Sequence, residues 1–349
     1  MSYTNGLDKP TDYFNTVLYT GNATARDITT GLETTDFIWN KRRDSTGSHL
    51  LYDKVRGVNK DLNSESTEAE ETQVGTVTAF GTDSFSLGTH GGTNGSGESK
   101  VTWCWSAGGT TGSSNTDGSI TSTVSANTTS GFSIVSYTGS ATNPSTVGHG
   151  LGTAPAMIIV KNRSTSGRDW VIWHKSLGGA SSTADLLLFT TDAKITSSGY
   201  WGSSAPSSTT FGVGNTNNNN ANGDNHIAYC FAEKKGFSKF GSYTGNGSTD
   251  GTFVYTGFKP AFVIIKNTAR SDNWYLFDNK RGGFNVDNDF VFPDLSNAEV
   301  TSDQIDILSN GFKCRNANDA INSSGESIIY MSFAESPFTT STGIPTCAR

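Results

Sequence analysis

The chain repeats itself. Met157–Gly179 reads MIIVKNRSTSGRDWVIWHKSLGG, Phe262–Gly283 reads FVIIKNTARSDNWYLFDNKRGG, and a looser version, FIWNKRRDSTGSHLLYDKVRG, runs from Phe37 to Gly57. Each copy opens with Tyr-Thr-Gly, at Tyr19, Tyr137 and Tyr243. An apolar run ending in Lys41, Lys161 or Lys266 follows, then a polar turn, then a second apolar run closed by Gly57, Gly178 or Gly282. The last run is VTWCWSAGG (101–109), IAYCFAEKKG (227–236) and IIYMSFAESP (328–337). The period, about 105–120 residues, is that of a globular domain and not of a solenoid turn.

Within each copy, short runs with period-2 alternation are separated by Gly, Asn and Ser clusters, the pattern of antiparallel strands joined by turns. The reading is all-β: three tandem antiparallel β-sandwich domains, jelly-roll or Ig-like, each with its own core. In WVIWH, Trp170, Ile172 and His174 point one way and Val171 and Trp173 the other; the second face is the expected core face. Only STEAEETQ (66–73) and LSNAEV (295–300) offer short helices. The boundaries read 1–106 for the first copy, 107–131 for a Gly/Ser/Thr-rich linker, 132–236 and 237–338 for the second and third copies, and 339–349 for a tail. The short join at AEKKGFSKFGSYTG predicts that copies two and three pack together more rigidly than copy one packs on either. Asn40, where the other copies have Val160 and Ile265, suggests an exposed or partner-paired edge in copy one.

The net charge of −7 lacks basic clusters, which disfavours nucleic acid. No stretch approaches the ~18 apolar residues of a membrane helix, and MSYTNGLDKPTDYF lacks the pattern of a secretory signal. Cys104, Cys230, Cys314 and Cys347 form no Cys-x-x-Cys pair and are expected to be reduced.

Catalytic signatures are absent: no Gly-x-Ser-x-Gly elbow, phosphate loop or dinucleotide fingerprint. The five histidines lack metal-site spacing. NVDNDF (285–290) starts like a calcium loop but lacks the later ligand and glycine, so neither metal nor cofactor is expected. Asp53–Arg56 and Asp278–Arg281 occupy equivalent places and read as exposed contacts closing a hairpin; His174 and Leu177 replace them in copy two. Glu233 and Glu335 recur in FAE, which favours a structural role. Sugar binding is the more plausible chemistry, since it needs an aromatic plate and hydrogen-bonding amides. The candidate glycan site lies in copy two: Tyr200 and Trp201 in GYWGSSAPSS, with Asn217, Asn218, Asn220 and Asp224 in NTNNNNANGDN. These features have no evident counterpart in copy three.

ANTTSGFSIVSYTG, GHGLGTAPAMIIVKNR, IAYCFAEKKGFSKFGSYTGNGSTDGTFVYTGF and LSNGFK together resemble a repeated domain of bacteriophage virion proteins, common in marine phages including cyanophages, and the resemblance spans about residues 15–338. It implies a structural protein of tail-fibre or spike type, made in the host cytoplasm and located in the virion. It further implies other virion proteins as partners, homo-oligomerisation (a trimer by analogy with fibres) and non-enzymatic attachment to a host-surface glycan or receptor. It carries over no catalytic residue. The alternatives are a capsid decoration or head-fibre protein with a purely structural role and, less favoured, a polysaccharide depolymerase.

Overall fold

A computed structural model of the chain describes residues 7–178, 184–202, 205–282, 285 and 287–337. Cys347, the tail 339–349 and part of NVDNDF lie outside them. The described residues are all-β, in several antiparallel sheets.

Copy one has a sheet in the order Phe14–Thr20, Ser99–Trp105, Phe37–Arg42, His49–Asp53, Lys60–Asn63, Glu71–Thr72, and a smaller one of Arg26–Thr29, Ser84–Leu87 and Val77–Phe80. Copy two repeats the central order with Phe132–Thr138, Asn225–Phe231, Met157–Asn162, Val171–His174 and Asp185–Leu188, and pairs Ser145–Gly148 with Thr210–Val213. In copy three the long strand Val300–Leu308 carries the sheet round, so Ser238–Thr244, Ser327–Pro337, Phe258–Asn267 and Tyr275–Asp278 lie in one sheet with Gly311–Cys314 and Phe253–Tyr255. Residues 66–70 and 295–299 form no regular secondary structure; the short helical turns are Gly91–Asn94 and Asp319–Asn322 instead. Both turns sit just ahead of the last strand, where Asn318 and His90 side chains accept the backbone N–H of Ala320 and Gly92 as caps.

The central strands are buried on both faces, which is why they read as nearly continuous apolar runs. One face covers the copy's own core: Val171 and Trp173 pack there with Leu186 and Phe211. The other face, with Trp170 and Ile172, enters a second core built from all three copies. Rings from each copy meet in it: Trp105 lies 6.4 Å from Phe231 and 5.4 Å from Phe262, and Phe231 lies 5.9 Å from Phe333. Each copy thus keeps the core expected of it, and the structure adds a further one that all three share. Aromatic rings bury large area, and in this chain they bury much of it between copies.

The seams run cyclically. Lys161 of copy two donates to Arg168 O in its own hairpin and to Ser66 O of copy one; Lys266 donates to Asp272 O and to Thr191 O of copy two; Lys41 donates to Gly47 O and to Ser296 O of copy three. Burial pushes all three ammonium groups down to about 8. Trp170 Nε1 bonds Asn63 O and Trp274 Nε1 bonds Leu188 O, each 2.8 Å across a seam. Arg163 grips Glu70 and Arg43 grips Glu299 through two nitrogens each. Copy one is thus fastened to both neighbours.

The segment 107–131 is not a free linker. Ser122–Asn127 pairs with Phe132–Thr138 along its length, and Ser113–Asn115 pairs with Ser122–Asn127. Its small, β-branched residues suit the outer strands of the sheet, and Ile120 enters the core of copy two. Asn40 is buried, donating to Tyr19 Oη (2.8 Å) and Thr102 Oγ1 (2.6 Å), so copy one has no exposed edge there.

Candidate functional site

Of the residues singled out in copy two, Trp201 and Asn220 are buried scaffold and the others are only partly covered or exposed. Trp201 is 3% exposed and belongs to the copy's own core, so it offers no open plate. Tyr200 is half-buried against that core; its carbonyl accepts from Asn219 Nδ2 (2.6 Å) and its hydroxyl from Asn218 Nδ2 (3.4 Å). Asn217 is exposed, and its carbonyl accepts from Asn162 Nδ2. Asn220 is fully buried: its Oδ1 accepts from Ser140 N, and its Nδ2 donates to Thr142 O and Gly214 O. Asp224 accepts from Asn162 Nδ2 (2.8 Å) and Thr165 Oγ1 (2.9 Å), and the Asn162 bond first of all holds its carboxyl below the usual range.

Counterparts do exist in the other copies. Asn94 and Asn322 make the same three kinds of bond as Asn220, to Asn22 N and to Thr24 O and Gly88 O, and to Asn246 N and to Ser248 O and Asn316 O. Tyr19, Tyr137 and Tyr243 hydroxyls donate to the carbonyls just before those asparagines, at Thr93, Asn219 and Ile321. The sequence signal was the shared spacing Asn94/Glu98, Asn220/Asp224 and Asn322/Glu326. A run of four asparagines, 217–220, hid it in copy two.

The repeated carboxylates are also structural. Asp53–Arg56 and Asp278–Arg281 are fully buried ion pairs, not exposed ones, because each faces a seam. Tyr229 Oη of copy two donates to Asp53 (2.8 Å), and Trp103 Nε1 of copy one donates to Asp278 (2.9 Å). In copy two His174 takes this place. Its Nδ1 accepts from Ser176 N and its Nε2 donates to Tyr330 O of copy three; burial lowers its pKa to about 3, so it stays neutral. Glu233 lies between Lys175 and Lys239, and Glu335 pairs with Lys259.

Two surfaces among the described residues set single copies apart. The first is the strand Phe253–Tyr255, which ends the sheet of copy three. Val254 points inward at 5% exposure, while Phe253 (45%) and Tyr255 (59%) stand on the outer face. Lys313, opposite Phe253, pairs with the exposed Asp250 at the rim. Gly311 is required beside it: a Cβ there would lie 2.0 Å from Val254 O and 3.2 Å from the Phe253 ring. The matching positions, read from the register against Phe85, Phe211 and Phe312, are Asp27 and Thr29 in copy one and Thr146 and Gly148 in copy two. In copy two this edge is occupied by the chain itself: Ile120 bridges Val147 in parallel, and Ser119 and Thr146 exchange 2.9 Å bonds.

The second is a cleft of about 560 Å³ in copy one, between the strands around Lys60–Asn63 and Glu71–Thr72 and the turn Gly91–Asn94. Asp61, 7% exposed, lines it with Oδ1 lacking a hydrogen-bond partner. Burial, with the Glu71 charge directly opposite on the next strand, raises its carboxyl to about 6. Among the described residues no group of three His, Cys, Asp or Glu could hold a metal ion, and no helix is long and apolar enough to cross a membrane. The described cysteines Cys104, Cys230 and Cys314 are free and buried.

No curated protein and no solved structure matches this chain. A family model does match, over residues 9–337, so that one model spans all three copies just as one core does. By that match the chain belongs to the family described as Domain of unknown function (DUF7483).

Proposed function

We propose that the chain is a bacteriophage virion structural protein of tail-fibre or spike type, built from three β-sandwich units, displayed on the particle, and binding a host-surface glycan or receptor without catalysis. The sequence resemblance supports the virion setting. The observation that carries the binding reading is the exposed pair Phe253 and Tyr255, two rings on one face of a strand with the Lys313–Asp250 pair beside them. Sugar rings stack on such aromatic faces while neighbouring polar groups take their hydroxyls. The depolymerase reading is disfavoured because the recurring carboxylates are spent in ion pairs and seams.

A second reading has its own observation. The outer edge of Phe253–Tyr255 is free of a strand partner among the described residues, whereas the equivalent edge of copy two is covered by Ser119 and Ile120. A capsid decoration or head-fibre protein would use that edge to add a strand from a neighbouring virion protein.

The test is binding of the full chain, held as an oligomer, to host cells and a glycan panel, with the double variant Phe253→Ala/Tyr255→Ala. Loss of at least about tenfold in affinity with unchanged thermal stability supports attachment. Unchanged cell binding by the variant moves the attachment site off this strand, and no cell binding by the parent together with lost incorporation of the variant into particles moves the assignment to assembly. Light scattering on the same samples tests the homotrimer.

A further inference from the structure

The cleft of copy one departs from the other two copies at one telling position. Leu51 pairs with Leu62, Ile172 with Leu187, and Leu276 with Val291, which puts Asp61, Leu186 and Phe290 in equivalent places. Leu186 and Phe290 are 0% and 3% exposed members of their copies' own cores. The fold therefore accepts, twice over, an apolar side chain where copy one buries a carboxylate. An acid so placed opposes folding unless something pairs with it. Copy one gives Asp61 Oδ1 no partner and sets Glu71 opposite it, an arrangement of like charges that costs further stability.

The rest of the cleft says what would pair with it. The basic residues on the far wall are already committed: Arg42 to Glu98 and Asp44, Lys100 to Glu98 and the Gly92 carbonyl. That leaves Asp61, Glu68 and Glu71 with no basic partner in the cleft, and an excess of negative charge along one wall. Between the walls stand hydroxyls and amides from Ser48, Asn63, Ser66 and Gln73, and Leu50 is the sole aliphatic side chain on the lining. An apolar ligand has nothing to contact. A metal ion lacks a ligand cluster among the described residues. An ammonium group supplies three donors and a full positive charge, and hydroxyls suit the amides and serines around it. A cavity of about 560 Å³ has room for a sugar unit with water.

We infer that this cleft binds a sugar carrying a free amine, with the ammonium against Asp61 and Glu71 and the hydroxyls toward Asn63, Gln73 and the serines. The site is separate from the Phe253–Tyr255 strand, so either can fail without the other. The experiment is calorimetric titration of the full chain near neutral pH with glucosamine, N-acetylglucosamine, glucose, n-butylammonium and calcium chloride. Asp61→Leu, which installs the residue copy two uses, and Asp61→Asn, which keeps the size and removes the charge, are titrated alongside. Saturable glucosamine binding is expected, at least about tenfold tighter than for N-acetylglucosamine or glucose. It should vanish in both variants, with Asp61→Leu melting at or above the parent temperature. No glucosamine binding by the parent overturns the inference, as does equal binding of N-acetylglucosamine or unchanged binding in Asp61→Asn. Butylammonium binding as tightly as glucosamine would overturn the sugar assignment in favour of a bare amine, such as a lysine of a partner protein. Calcium binding without glucosamine binding would overturn it in favour of a cation.

Discussion

Buried amides do in this chain what its loops cannot do alone. Asn94, Asn220 and Asn322 each tie the loop after Tyr-Thr-Gly to the turn ahead of the last strand, by three bonds from a fully buried side chain. Asn220→Ala leaves two carbonyls and an N–H unpaired, and should destabilise by about 2–4 kcal/mol in urea titration. Trp201→Ala should cost about 3–5 kcal/mol by emptying a core site, so any loss of ligand binding in that variant would report unfolding. Asp61 gives a pH test. Its carboxyl sits above the unfolded value, so the folded state holds that proton more tightly, and the group's contribution is fully present at low pH. That contribution disappears as pH rises through about 6. Asp61→Asn should therefore gain stability relative to the parent between pH 4.5 and 7, by on the order of 1–3 kcal/mol. A constant difference across that range would show that Asp61 titrates normally.

At the scale of elements, each Tyr-Thr-Gly is a strand end pressed against the backbone of a turn. A Cβ on Gly21, Gly139 or Gly245 would lie 2.0, 2.2 or 2.2 Å from a backbone carbonyl oxygen of the turn. Gly139→Ala must push the strand end off the turn and should destabilise by about 2–4 kcal/mol, whereas Gly152→Ala, with nothing nearby but a positive φ, should cost about 1 kcal/mol. Comparable melting temperatures for the two variants would contradict the close approach. The motif was legible as a repeated phrase; its reason was not, because the turn that meets the glycine comes from about 75 residues later. Strand alternation also gave the inner face of Val171 and Trp173. It left the face of Trp170 and Ile172 unassigned, because alternation separates two faces without saying what covers each.

For the whole molecule, a shared core means shared stability. Phe132 and Phe231 of copy two meet Phe37, Trp105 and Phe333 of the other copies, and Met157 and Trp170 lie in the same shared core, so residues 132–236 alone would expose a large apolar face. The full chain should melt in one calorimetric transition whose van't Hoff and calorimetric enthalpies agree, and the isolated segment should aggregate or fail to fold. Three separable transitions would restore the picture of independent domains. The seams are not identical: two carry a buried Asp–Arg pair with a donor from the next copy, and the third carries neutral His174. Such pairs match partners more than they add net stability.

The amino-acid sequence by itself determined the three copies, their β character, the turn chemistry and the faces that turn inward, because propensity and periodicity are local properties. Only the tertiary structure decided that the copies close on one another around a common core. It alone turned Trp201 and Asn220 into scaffold, and it left Asp61 facing a cleft where Leu186 and Phe290 face a core. Burial depends on what arrives from elsewhere in the chain, and a residue's own neighbours in sequence do not record that.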